Sequence, residues 1–263
     1  MTVVTDVVQR LRAFFADYGY RFAPAVYVNL VRRDRSAIPS TIDISREEID
    51  SQLRTTLEIL ASEFAAIDFR KPVPVGLRER ASALLERHLS FKLSRKPSTI
   101  EGCGLGVFVE NGSIAPRTVV SLYPGTIYDP WDSILLQSIG NHFVLRCRDG
   151  VIIDGNDVRL SRRIHRSCSY RDSGAAVSDL SWLEVHPFNY LNMGHYINNE
   201  PTPRLHNVQY VDFDVLNWPF RLRKFLPYAV YSPLREFPLR VVVLVSVREI
   251  VEGEELFAAY VSK

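Results

Sequence analysis

The chain has 263 residues, of which 46 % are apolar, so it is long enough to bury a sizeable core and form a catalytic domain with an appendage. Its 32 basic and 30 acidic residues give a net charge of +2, which excludes a strong whole-molecule field for nucleic acid. We therefore expect a globular protein in which any basic contact surface is local.

The three cysteines, Cys103, Cys147 and Cys168, stand far apart in the sequence, which matches neither paired zinc ligands nor a disulfide framework. We interpret them as reduced thiols of an intracellular protein and expect no metal site. The sequence has no run of about 18 apolar residues and no apolar signal core at its N-terminus. We expect no membrane span, and both cytoplasm and nucleus stay open as the compartment.

Two amphipathic helices are predicted in the N-terminal region, which we assign to residues 1–95. Ser45 and Glu48 form a capping-box pattern, and apolar residues then recur every three or four positions: Ile49, Leu53, Leu57, Leu60, Phe64 and Ile67. Pro72 ends this pattern, and a second stripe follows it: Leu77, Ala81, Leu84, Leu85 and His88. We predict a helical hairpin that packs on the rest of the chain, with His88 as a buried core residue.

From Gly102 onward, short β-branched and aromatic runs alternate with glycine and proline, which predicts short strands in small packed sheets. The predicted strands are residues 107–109, 118–123, 142–147, 151–153, 208–215 and 239–247. Because no strand–helix–strand rhythm appears, a doubly wound parallel sheet and a Rossmann-type methyltransferase are disfavoured. The expected fold class is α+β, with a helical N-terminal region and a mostly-β domain of short packed sheets over residues 96–263.

Three motifs follow one another in this second part of the chain. Gly104 and Gly106 form a tight turn before the strand that contains Phe108, and such a turn lets the backbone approach a ligand. An Asn198-Asn199 pair comes next, and a Gly-Glu-Glu-Leu sequence at 253–256 precedes Tyr260 near the C-terminal end. Taken alone, the glycine turn is equally typical of an ordinary turn that leads into a strand.

In this order the motifs resemble those of SET-domain methyltransferases. The Tyr123-Pro124-Gly125 and Ile153-Asp154-Gly155-Asn156 segments, with the unusual Asn198-Asn199 pair, resemble the group called SET domain-containing protein nine. The resemblance implies a mostly-β SET domain that binds S-adenosylmethionine. The cofactor-binding residues that it implies are Gly104, Gly106, Phe108, Asn198, Asn199 and Tyr260.

The same resemblance implies an activity, which is methyl transfer to lysine on a protein substrate of unknown identity. Tyr260 is then the catalytic residue, and Tyr123 and Ala258 line the substrate channel. Neither a metal nor a membrane is expected, and no nucleic-acid partner is expected.

Two positions depart from the family pattern. Asn199 stands where the family has histidine, and Ala258 stands where it has tyrosine. An amide still donates and accepts hydrogen bonds, but the imidazole stacking surface is lost. A register that uses His195 instead stays open. The departures motivate an alternative function, a SET-fold scaffold that binds cofactor or protein without turnover.

An insert at about residues 157–191 separates the second motif region from the Asn198-Asn199 pair. It carries five arginines, at Arg159, Arg162, Arg163, Arg166 and Arg171. Such a cluster either faces an acidic peptide or a nucleic-acid backbone, or is a solvated loop, and the charge pattern favours the loop.

Overall fold

The structure is a computed structural model that describes residues 44–171, 178–200, 202, 205–232 and 238–259. The predicted catalytic Tyr260 lies outside these ranges. Helices and mixed sheets combine within them, so the predicted α+β class is confirmed. None of the helices in the described ranges has both the length and the apolarity that crossing a bilayer requires.

Helix α1 spans Arg46–Glu63 and begins with the predicted capping box, in which Glu48 N donates to Ser45 Oγ at 3.1 Å and Ser45 N donates to Glu48 Oε2 at 3.2 Å. Helix α2 spans Val75–Leu89. The prediction of a buried His88 is wrong, because this side chain stays exposed at a groove between the last turn of α2 and α1.

The N-terminal helices share one hydrophobic core with the strands. Helix α1 contributes a buried stripe to it, which consists of Ile49, Leu53, Leu57 and Leu60, with Phe64 just after the helix. Burying each such side chain contributes roughly 1.5–3 kcal/mol. The helices are therefore part of the folding unit that contains the strands.

The first sheet has two antiparallel strands, β1 at Phe91–Pro97 and β2 at Leu105–Gly112. The sequence pattern missed β1, because Lys92, Arg95 and Lys96 interrupt its apolar alternation. This strand runs across the division that we placed at residue 95. The division itself stays a prediction.

A second sheet of five strands has the order β3-β10-β8-β11-β7. Its strands are β3 at Val119–Leu122, β7 at Asn198–Asn199, β8 at Val208–Val215, β10 at Leu239–Ser246 and β11 at Phe257–Ala258. Strand β11 lies between β7 and β8 and runs parallel to both. This topology places Phe257 and Ala258 directly beside the Asn198-Asn199 pair.

A third sheet has the order β5-β6-β4-β9, from β4 at Gly125–Tyr128, β5 at Val144–Arg146, β6 at Ile152–Asp154 and β9 at Tyr228–Val230. Short helices connect the sheets: α3 at Leu135–Ser138, α4 at Arg159–Ser169 and α5 at Phe220–Arg223, with two 3₁₀ turns at Ser181–Leu183 and Gly194–Tyr196.

The arginine cluster is solvated as expected at Arg159, Arg163 and Arg166, but the expectation of a loop is wrong, because most of the cluster lies on helix α4. This helix buries His165, whose Nδ1 lies 3.0 Å from Thr126 Oγ1 and whose Nε2 accepts from Trp182 Nε1 at 3.1 Å. Burial lowers the pKa of His165 to about 3. A neutral histidine therefore contacts the third sheet, and the exposed Arg163 and Arg166 lie on the outer side of the helix.

Candidate active site

The Gly-Glu-Glu-Leu segment pairs with the strand that follows the glycine turn. Val109 N donates to Glu254 O at 3.0 Å, Leu256 N donates to Val107 O at 2.8 Å, and Phe108 forms an antiparallel bridge with Glu255. The opening and closing motifs, which are distant in sequence, are therefore adjacent in space. Phe108 is buried at this contact.

Glu255 is the residue on which the motifs converge, and the sequence analysis did not single it out. Its Oε1 accepts from Ser98 Oγ at 2.7 Å and from Asn198 Nδ2 at 3.2 Å. Its Oε2 accepts from Thr99 N at 2.8 Å and from Thr99 Oγ1 at 2.6 Å. The carboxylate is buried, and none of the described ion pairs includes it. Within the part of the chain that the structure describes, four hydrogen bonds stabilise the carboxylate.

The two glycines of the turn are required for different reasons. Gly104 has φ of +73°, a left-handed conformation that favours glycine, and open space surrounds it. Gly106 has no such φ, but a Cβ at this position would lie less than 3.0 Å from Glu255 Oε1. The group that lies close to the Gly106 backbone in this structure is therefore the Glu255 carboxylate.

Asn198 connects this turn to β7. Its Nδ2 donates to Leu105 O at 3.0 Å as well as to Glu255. Both amide hydrogens are thus used, and Oδ1 has no partner among the described residues, so it is available to a ligand that donates a hydrogen bond. Asn199 is exposed and lies in register with Ala258.

Asn207 is a second residue that sequence reasoning did not assign to the site. Its side chain is buried, where Nδ2 donates to Glu255 O at 2.8 Å and Oδ1 accepts from Phe257 N at 2.8 Å. Its backbone N also donates to Phe257 O at 2.9 Å. Asn207 therefore fixes the backbone on both sides of Leu256. The only signal in the sequence was its position shortly after Asn198-Asn199.

The two predicted channel residues are both buried. Tyr123 packs edge to face on Tyr210, with ring centroids 6.1 Å apart. Ala258 is fully buried in β11, and its carbonyl oxygen accepts from Glu200 N at 3.0 Å. Their role in a substrate channel stays a prediction, as does the catalytic role of Tyr260.

His195, the residue of the alternative register, lies in an aromatic cluster. Its ring centroid is 4.2 Å from that of Tyr196, 5.3 Å from that of Trp182 and 6.0 Å from that of Phe143. Neither ring nitrogen has a hydrogen-bond partner among the described residues. Asn198, by contrast, donates a hydrogen bond to Leu105 O of the glycine turn.

Burial, assisted by the charge of Arg95, holds the pKa of His195 well below 6.5. The folded protein keeps this ring neutral, while the unfolded chain takes up a proton below about pH 6.5. Stability that is present above this pH is therefore lost as the pH falls. The lowered pKa of His165 likewise makes the folded protein less stable as the pH falls. Burial raises the pKa of Asp179 to about 6. Because the folded protein then binds a proton that the unfolded chain does not, this group makes the folded protein more stable as the pH falls from about 6 to about 4.

Comparison with known proteins identifies relatives over most of the chain. It is 36 % identical, over 281 aligned positions, to the human protein named SET domain-containing protein 9, with 92 % of the chain and 93 % of that protein covered. A protein of the same name from Pongo abelii is 44 % identical over 180 positions, which cover 67 % of the chain and 66 % of that protein. No model of a known protein family matches the chain.

Solved structures show a weaker likeness. A humanized mutant of the Chaetomium thermophilum Polycomb Repressive Complex 2 bound to the inhibitor GSK343 has a TM-score of 0.36 and 16 % identity, over 67 % of this chain and 16 % of that one. The same complex in an autoinhibited conformation bound to S-adenosylmethionine also has a TM-score of 0.36 and 16 % identity, over 70 % and 18 %. Likeness at this level carries no argument about function.

Proposed function

The chain belongs to the SET domain-containing protein 9 family, and from this premise we propose that it transfers methyl groups from S-adenosylmethionine to lysine side chains of a protein substrate. The observation that carries the proposal is the junction at Glu255. One carboxylate accepts hydrogen bonds from Ser98, Thr99 and Asn198 and lies close to Gly106, and the family resemblance puts the cofactor at Gly106 and Asn198.

The residues of this junction fit the chemistry of the cofactor. S-adenosylmethionine supplies an electrophilic methyl group on a sulfonium cation. Glu255 carries a negative charge without a cationic partner among the described residues, and the free Oδ1 of Asn198 accepts a hydrogen bond from a donor. A negative potential beside an exposed backbone turn favours a cationic ligand. The turn residues Gly102 and Gly104 leave open space for it.

The lysine substrate has to arrive without its proton, because an ammonium group has no electron pair for the attack. The ordinary lysine pKa is about 10.4, and removal from water lowers it. In this proposal Tyr260 orients the amine, and positioning supplies most of the rate enhancement. Tyr123 would exclude water from one side, which its burial permits.

Cofactor binding is tested by calorimetric titration of the full chain. We expect a dissociation constant on the order of micromolar for S-adenosylmethionine, equivalent to about −8 kcal/mol. Asn198→Ala should weaken binding by roughly tenfold or more, because it removes both the ligand acceptor and a contact to the turn. Asn111→Ala is the matched control, since Asn111 is an exposed asparagine near the far end of β2. No binding at millimolar cofactor would remove the proposal.

Turnover is tested separately, by release of S-adenosylhomocysteine in the presence of a protein mixture. Tyr260→Phe should leave cofactor affinity almost unchanged and reduce turnover by about 100-fold, the scale of a positioned transition-state group. Cofactor binding without release of product from any mixture would favour the alternative, a scaffold without turnover. That alternative draws on the exposed Asn199 in the place of the family's histidine.

A further inference from the structure

A recess of about 120 Å³ lies on a part of the surface that shares no residue with the Glu255 junction. Three segments form its walls: residues 69–73 after α1, the outer side of α4, and residues 180–184 of the insert. The side chains of Arg70, Lys71, Arg162, Arg166 and Tyr170 line it together with Glu184.

Polar contacts fasten the three walls to one another. Tyr170 Oη donates to Arg70 O at 2.9 Å, which joins the end of α4 to the first segment. Arg162 donates to Leu183 O, which joins α4 to the insert. Arg78 donates to Val73 O at 3.0 Å and forms an ion pair with Glu184. The recess is therefore a fixed feature of the fold.

The charges at the recess are unbalanced. Arg70 is paired with Asp68, and Glu184, the acidic residue of the lining, is paired with Arg78. Lys71 interacts electrostatically with the same Asp68 carboxylate, whereas Arg162 and Arg166 take part in no ion pair among the described residues. Two arginines without a carboxylate partner among the described residues, and a lysine that shares Asp68 with Arg70, thus line one small cavity.

We propose that this recess binds a phosphomonoester group, such as that of a phosphorylated serine on a protein partner. A phosphomonoester carries between one and two negative charges and three acceptor oxygens at neutral pH, and arginine binds such groups through paired hydrogen bonds. The volume suits a single group. A nucleic-acid backbone needs a continuous basic track instead, because its phosphates recur along the strand.

The experiment uses the full chain and three probes at constant ionic strength: inorganic phosphate, serine phosphate with blocked ends, and a single-stranded oligonucleotide. Affinities are measured for the wild type and for Arg166→Gln, Lys71→Gln and Arg163→Gln. Arg163 is the matched control, because it is an exposed arginine on the same helix that does not line the recess. Equal melting temperatures establish that the variants are folded.

We expect saturable binding of inorganic phosphate and of blocked phosphoserine, weakened about tenfold by Arg166→Gln or Lys71→Gln, as loss of a charged hydrogen bond implies. Arg163→Gln should change it less than twofold. Absence of saturable binding at millimolar phosphate overturns the proposal. It is also overturned if Arg163→Gln weakens binding as much as the other variants. Tighter binding of the oligonucleotide than of blocked phosphoserine would also overturn the proposal, because it would indicate a surface that binds nucleic acid.

Discussion

Replacing Glu255 by glutamine tests the junction directly, because the change keeps the shape of the side chain and removes its charge. The carboxylate accepts four hydrogen bonds, from Ser98, Asn198 and twice from Thr99. Glutamine keeps one oxygen, which serves two of these donors, and turns its NH₂ group toward the other two. The Ser98 or Thr99 hydroxyl that faces the NH₂ group can rotate and accept a hydrogen bond from it, which recovers part of the lost stability.

A hydrogen bond to a charged group contributes about 1.5–3 kcal/mol, so we expect Glu255→Gln to lower the free energy of unfolding by about 2–4 kcal/mol. For a chain of this size that corresponds to a melting temperature lower by roughly 5–15 °C. Urea and thermal unfolding both measure the change. The matched control is Glu254→Gln, which alters a partly exposed pair with Arg248 worth about 0–1 kcal/mol.

Cofactor affinity gives a second readout of the same variant. S-adenosylmethionine is a sulfonium cation and S-adenosylhomocysteine is a neutral thioether at the same position. If the Glu255 charge favours a cationic ligand, Glu255→Gln should weaken binding of S-adenosylmethionine more than that of S-adenosylhomocysteine, whereas Glu254→Gln should leave the ratio unchanged. Equal destabilisation by the two glutamine variants, with equal ratios, would refute the assignment of Glu255 as the centre of the site.

Three further predictions concern packing and pH. Gly106→Ala should lower the free energy of unfolding by about 2–4 kcal/mol, because the added methyl group displaces the Glu255 carboxylate. If the losses of stability from Gly106→Ala and Glu255→Ala simply add in the double variant, this reason is wrong. His195→Phe should keep the aromatic packing and remove the buried imidazole, which only the unfolded chain protonates. Between pH 7.5 and 5.5 the wild type should therefore lose about 1.4 kcal/mol more stability than the variant. Equal pH dependence of the two unfolding free energies would show that His195 is not kept neutral by burial. A fragment of residues 96–263 should aggregate in light scattering, because it exposes the core surface that α1 covers; a soluble fragment that binds cofactor would make the helices a separate module.

The sequence by itself determined the regular elements that bury one face. The capping box and the three-to-four spacing placed α1 within a few residues, and the alternating run at Val208–Val215 gave β8 with its observed bounds. Apolar residues recur at a regular spacing in such elements, so a short stretch of sequence is enough to predict them. The family also followed from local motifs, because their order survives in the linear sequence.

Only the tertiary structure brought Glu255 and Asn207 into the candidate site. Glu255 accepts hydrogen bonds from residues 57, 156 and 157 positions away, and single long-range contacts leave no periodic trace in a sequence. The same reason explains why the contact between Gly106 and Glu255 was not foreseen, and why the arginines of α4 were expected in a loop. In the folded chain the inner side of α4 contacts the third sheet, where His165 meets Thr126, a partner that local sequence does not reveal. Strand β1 likewise forms because β2 supplies its hydrogen bonds, although charged residues interrupt its own pattern.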